Sequence, residues 1–138
     1  MRRFTYIEHT GDLGIQVYGQ DLPMLFKHAA EAFFETITDP GLIRLKDTQD
    51  ILLRANGLEE LMVAWLNEFL FLFDTKGRLF KKFDINLLKT RELRAMARGE
   101  TFIEGRHPIK TLIKAVTYHQ LQVIKEEGFW RAQIIFDL

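Results

Sequence analysis

The 138-residue chain contains no cysteine and no serine. The first absence excludes disulfide staples, thiolate metal sites and a cysteine nucleophile. The second excludes a serine nucleophile and any elbow built around one. Proline is scarce, at three residues, and no proline- or glycine-rich stretch reads as a linker. No glycine-rich phosphate loop of either common pattern occurs. Net charge is lacking as well, since 19 basic residues balance 19 acidic ones. That balance argues against holding nucleic acid by bulk electrostatics. The longest apolar run, "LMVAWLNEFLFLF" at residues 61–73, is too short to span a bilayer and carries Asn67 and Glu68. The opening "MRRFTYIEHT" has no apolar core of signal-peptide length. Together these features read as a cytoplasmic, water-soluble protein with no membrane partner.

What is present is an ordinary globular balance, 47% hydrophobic and 28% charged. A domain of this length can bury roughly two-thirds of its unfolded surface without staples. Residues 4–9 read as a strand, and residues 13–18 alternate, with Leu13, Ile15 and Val17 on one face. Asp21 is placed to cap a helix whose first turn tolerates Pro23. Leu22, Phe26, Ala29, Phe33 and Ile37 give that helix one buried stripe, and Pro40 ends it. Residues 42–56 read as two short strands around "KDTQD". A second helix follows Gly57, with Leu58, Leu61, Trp65, Phe69 and Leu72 as its stripe and Glu59 and Glu60 in its first turn. From residue 78 onward strand patterns dominate, interrupted by the loop "EGRHP" at 104–108. "EEG" at 126–128 reads as a hairpin turn into a last strand, where Trp130, Ala132, Ile134 and Phe136 face one way. Two helices and about seven strands, a propensity-level count, imply an α+β fold. It is a two-layer sandwich with the helices on a mostly antiparallel sheet.

Chemistry concentrates in three places. The turn "YIEHTGDLGI" sets Glu8, His9, Thr10 and Asp12 together, and the chain finishes "IIFDL", an apolar strand that carries Asp137 and Leu138 to its end. An apolar strand at a terminus implies a docked terminus. If the first and last strands meet, Asp12 and Asp137 repel unless a proton or cation lies between them. Carbonyl oxygens and a terminal carboxylate at Leu138 would complete an oxygen shell, which suits calcium or magnesium rather than zinc. The ordinary alternative is an aspartate that forms a turn and another that is solvated. The second place is "IKAVTYH", where Lys114 and His119 have opposite strand parity and so make a poor catalytic pair. The third is a basic excess between residues 81 and 98, from Lys81, Lys82, Lys89, Arg91, Arg94 and Arg98. With almost no interleaved aromatics, it reads better as a solvated sheet face than as an RNA surface. Thr10 beside His9 does not make a nucleophile and base, because adjacent strand residues point to opposite faces. No complete catalytic set is found.

The stretches "YIEHTGDLGIQVYG", "LEELMVAWLNEFLFLFD" and "HPIKTLIKAVTYHQLQV", with the terminal "FDL", occur in an order that resembles the archease family. The likeness covers essentially the whole chain, as a single archease-like domain over 1–138. The family's usual "EHTAD" stands here as "EHTGD", with Gly11 for alanine, and its usual Asp-Ile ending as Asp137-Leu138. The resemblance implies an α+β fold and an accessory role rather than an enzyme. The expected partner is the RtcB-type RNA ligase of tRNA splicing, whose guanylylation and multiple turnover an archease promotes, with tRNA engaged only through the ligase. It also implies a bound divalent cation, calcium first with magnesium or manganese as alternatives. The implied ligands are Asp12, Asp137 and the Leu138 carbonyl. Glu8, His9, Lys114 and His119 would frame that tip and face the partner, with no catalytic role. Two other classes stand beside this reading. One is a chaperone of an RNA-modifying enzyme such as a tRNA methyltransferase, a role also suggested for archeases. The other is a metal-dependent hydrolase, against which the missing nucleophile and base count.

Overall fold

The computed structural model describes residues 3–9 and 11–138, with Glu8 and His9 described in their backbone alone. The order is β1 (Phe4–His9), β2 (Asp12–Gly19), α1 (Leu22–Ile37), a 3-10 turn (Pro40–Leu42), β3 (Asp47–Arg54), α2 (Leu58–Lys76), β4 (Arg78–Lys89), β5 (Glu92–Thr101), β6 (Ala115–Glu126) and β7 (Phe129–Asp137). The expected α+β arrangement is present, with two helices packed on antiparallel sheet. The strands form two sheets, ordered β1-β2-β7-β6 and β3-β5-β4.

The helices start and stop where local chemistry tells them to. The Asp21 carboxylate accepts from the Met24 N–H at 2.9 Å, which satisfies one of the orphan donors at the start of α1. Gly77 closes α2 in the left-handed region, at φ 64°. Helix α1 is buried on more than one stripe because it touches both sheets. Phe33 meets Phe136 of β7 edge-on at 5.9 Å, while its neighbour Phe34 meets Phe80 and Phe83 of β4 and Phe69 of α2. Successive helical residues point about 100° apart, so one helix can serve two sheets. Trp65 of α2 is fully buried, and its indole N–H donates to the Phe26 carbonyl at 2.8 Å.

One expectation is corrected. Residues 42–56 hold one strand, β3, preceded by the 3-10 turn and an extended segment. Leu42 and Leu45 mimic strand positions in sequence yet are both 38% exposed. Strand β6 is irregular, as the uneven facing of residues 113–124 in the sequence suggests. Thr117 pairs with Ile135 and Gln122 with Gln133, so four residues of β6 lie opposite the single residue Ile134. This bulge reverses the alternation along β6.

Candidate functional site

Strand β2 begins and β7 ends at the same end of the larger sheet. The antiparallel register sets Asp12 directly opposite Asp137, with His9 on the other side of Asp12 and Ala115 on the other side of Asp137. Directly paired residues of antiparallel strands share a face, with Cβ atoms about 5 Å apart. Leu13, Ile15 and Val17 pair with Phe136, Ile134 and Ala132 toward the helices, so both aspartates lie on the sheet face away from them. Gly11, at φ 77°, supplies the left-handed residue that the tight β1–β2 turn needs to bring Asp12 back into register.

Asp12 is half-buried and Asp137 exposed. Among the described residues, neither carboxylate has an ion-pair or side-chain hydrogen-bond partner, and no third His, Asp or Glu completes a metal cluster. Like charges directly opposite on a sheet destabilise it. A cation between them would turn that repulsion into attraction, and carboxylate oxygens suit a hard ion. Leu138 follows at once, partly buried against the core. The residues present therefore fit a small oxygen-ligated cation, with water or main chain completing its shell.

The other sequence candidates are distributed around this end of the sheet. The Lys114 N–H donates to the Asp137 carbonyl at 2.8 Å, which ties the chain entering β6 to the end of β7. Its side chain is exposed. His119 lies in the β6 bulge, exposed, with its backbone N–H on the Thr117 hydroxyl at 3.3 Å. The structure does not bring Lys114 and His119 together as a pair. The side chains of Glu8 and His9, and all of Thr10, lie outside the described residues. The basic run at 81–98 is dispersed. Lys81 reaches back to the Ile43 carbonyl at 3.1 Å, while Arg94 approaches Glu92 at 3.4 Å on the solvent face of β5.

Sequence reasoning missed a buried polar cluster. Glu100 on β5 is only 2% exposed and His107 3%. The carboxylate accepts from the Arg44 N–H at 2.7 Å, the Arg44 guanidinium at 3.0 Å, the Arg106 guanidinium at 3.4 Å and the His107 Nε2 at 2.9 Å. His107 Nδ1 accepts from the Ile103 N–H at 2.9 Å, which leaves the ring proton on Nε2 for Glu100. Burial pushes the Glu100 carboxyl up, but the Arg44 N–H, the His107 ring and the Arg44 side chain outweigh it and hold it at about 2. The cluster ties loop 102–114 to β5, and Thr38 and Ile37 at the end of α1 fix that loop further through Pro108 and Lys110. No spacing rule could have found it, because Arg44 and Glu100 meet only through the fold.

A small α+β protein of this architecture has clear counterparts. Residues 4–138 match the archease protein family (MTH1598/TM1083). The chain is 36% identical over 141 residues to protein archease of Methanosarcina mazei, covering 99% of this chain and 97% of the relative. It is 38% identical over 135 residues to protein archease of Methanopyrus kandleri, covering 96% of each. The solution structure of Methanobacterium thermoautotrophicum protein 1598 superposes with a TM-score of 0.88 at 34% identity, covering 100% of both chains. The crystal structure of an archease from Thermotoga maritima, described as a possible chaperone, shares the fold at a TM-score of 0.66 and 22% identity, covering 100% of this chain and 98% of its own. The chain belongs to the archease family.

Proposed function

We propose that this protein is a cytoplasmic accessory protein that activates an RtcB-type RNA ligase and performs no covalent chemistry itself. One observation carries the reading. The two aspartates that the archease resemblance implicates in cation binding are cross-strand neighbours, Asp12 opposite Asp137. In this reading Asp12, Asp137 and the Leu138 carbonyl hold a divalent cation, calcium first, at an end of the sheet that docks beside the ligase's reaction centre. A divalent cation so placed neutralises charge on phosphoryl oxygens. The chain's own part is positional. The β2–β7 pairing fixes both carboxylates, and the Lys114 N–H on the Asp137 carbonyl fixes the strand end beside them.

The test is RNA ligation with the ligase limiting. Multiple turnovers that require this protein are expected, with Asp12→Ala losing both stimulation and cation binding by calorimetry. Full stimulation by Asp12→Ala would remove the cation from the mechanism. A second reading, as chaperone of an RNA-modifying enzyme such as a tRNA methyltransferase, is favoured by the description of the Thermotoga neighbour. It predicts suppression of client aggregation without nucleotide.

A further inference from the structure

Loop 102–114 is long for a compact protein, and loops of that length without secondary structure are usually functional. It is also held at many points. The Phe102 N–H reaches the Gly77 carbonyl at 2.7 Å, the Thr38 hydroxyl the Pro108 carbonyl at 2.6 Å, the Lys110 N–H the Ile37 carbonyl at 2.7 Å and the Lys114 N–H the Asp137 carbonyl at 2.8 Å. The His107–Glu100 contact locks its first half. A segment fixed this firmly has little freedom left to hide its apolar side chains, yet Leu112 is 63% exposed, Ile103 42% and Ile109 39%. Lys110 and Lys114 are exposed beside them, and among the described residues no carboxylate pairs with either. Tyr6, Leu13, Glu35 and Thr36 share one shallow depression with Lys110 and Thr111 on the helix side of the sheet, and the Lys114 N–H on the Asp137 carbonyl ties the end of the loop to the strand that carries the acidic pair.

We infer that loop 102–114 is a pre-formed protein-docking edge. Leu112 enters an apolar recess on the partner, while Lys110 and Lys114 meet carboxylates on its rim. Two exposed ammonium groups without an ion-pair partner among the described residues, beside aliphatic anchors, specify that complementarity. Pre-ordering removes the entropy cost that a flexible loop would incur on binding. RNA is a poorer occupant, because aliphatic side chains offer no stacking platform. A second copy of the chain is poorer too, because it would bring a second set of the same ammonium groups, not carboxylates, to the contact. The inference rests on the proposed ligase partnership and adds a docking surface whose end is tied to the Asp137 strand.

The test uses the full chain with Leu112→Asp and Lys110→Glu, both at exposed positions. Each should raise the concentration needed for half-maximal ligase stimulation, Leu112→Asp by about tenfold or more, with calcium affinity and thermal midpoint unchanged. Lys110→Glu serves as the independent probe should Leu112→Asp not fold. Stimulation by both variants at wild-type concentrations would overturn the inference alone. No stimulation by the wild type would overturn the ligase reading, and this inference with it. Sedimentation that shows a dimer dissolved by Leu112→Asp, or RNA binding abolished by Lys110→Glu, would overturn it in favour of those occupants.

Discussion

At the scale of single residues, Asp12 and Asp137 make a prediction of opposite signs. Without cation their repulsion costs the fold a little, so Asp12→Asn should leave stability unchanged or raise it by about 0.5 kcal/mol. With calcium the wild type should gain stability according to its cation affinity, about 2.7 kcal/mol at a concentration one hundred times the dissociation constant. The variant should gain almost none. Thermal unfolding with and without calcium reads both signs in one experiment, and a lower melting point for cation-free Asp12→Asn would contradict the picture of two unpaired carboxylates. Glu100 behaves differently because it is well partnered. Its folded carboxyl sits at about 2 against an ordinary 4.5. A depressed carboxyl contributes stability that is complete above about 4.5 and is lost as pH falls toward about 2. Glu100→Gln should flatten that part of the acid-unfolding curve. It should also cost about 2 kcal/mol at neutral pH, less than a fully buried pair because Arg44 is 46% exposed. The aspartates could be anticipated from an apolar strand running to "FDL". Glu100 could not, since its partners come from residues 44, 106 and 107.

At the scale of elements, the helices were legible because periodicity and capping are local. Asp21, Pro23 and Gly57 bracket stripes that need no knowledge of the rest of the molecule. The sequence pattern shows one buried face on α1, whereas the second is imposed by the other sheet through Phe34. Phe34→Ala should therefore destabilise by about 3–5 kcal/mol, measured by denaturant unfolding, since it removes contacts to α2 and β4 together. The uneven facing of residues 113–124 was legible, but the bulge that causes it was not, because an insertion relative to a partner strand exists only once the partner is known. A ladder of amides holds it. The Tyr18 hydroxyl donates to Gln16, the Gln16 amide to Gln133, and the Gln133 amide to the carbonyl of Gln120, which sits at φ 53°. Gln120 is held in the left-handed region, where non-glycine residues are uncommon. Gln133→Ala should free the bulge, seen as faster amide exchange confined to residues 118–121 with the rest of β6 and β7 still protected. Loss of protection along the whole β6–β7 ladder would show instead that the amides hold the sheet.

At the scale of the whole molecule, β2 and β7 pair residue for residue from Asp12–Asp137 to Gly19–Trp130. Contacts of such sequence separation form late, because loop closure must precede them. Both ionic sites depend on the folded sheet, but the acidic pair depends on it more completely, since its members come from β2 and β7 and meet only when those strands pair. A polypeptide still emerging from the ribosome can build α1, α2 and the smaller sheet while holding only half of the acidic pair. Whatever binds both aspartates thus reads out the meeting of β2 and β7. It recognises a chain in which those two strands are paired, so a cation or partner seated there would act as a built-in check on that pairing.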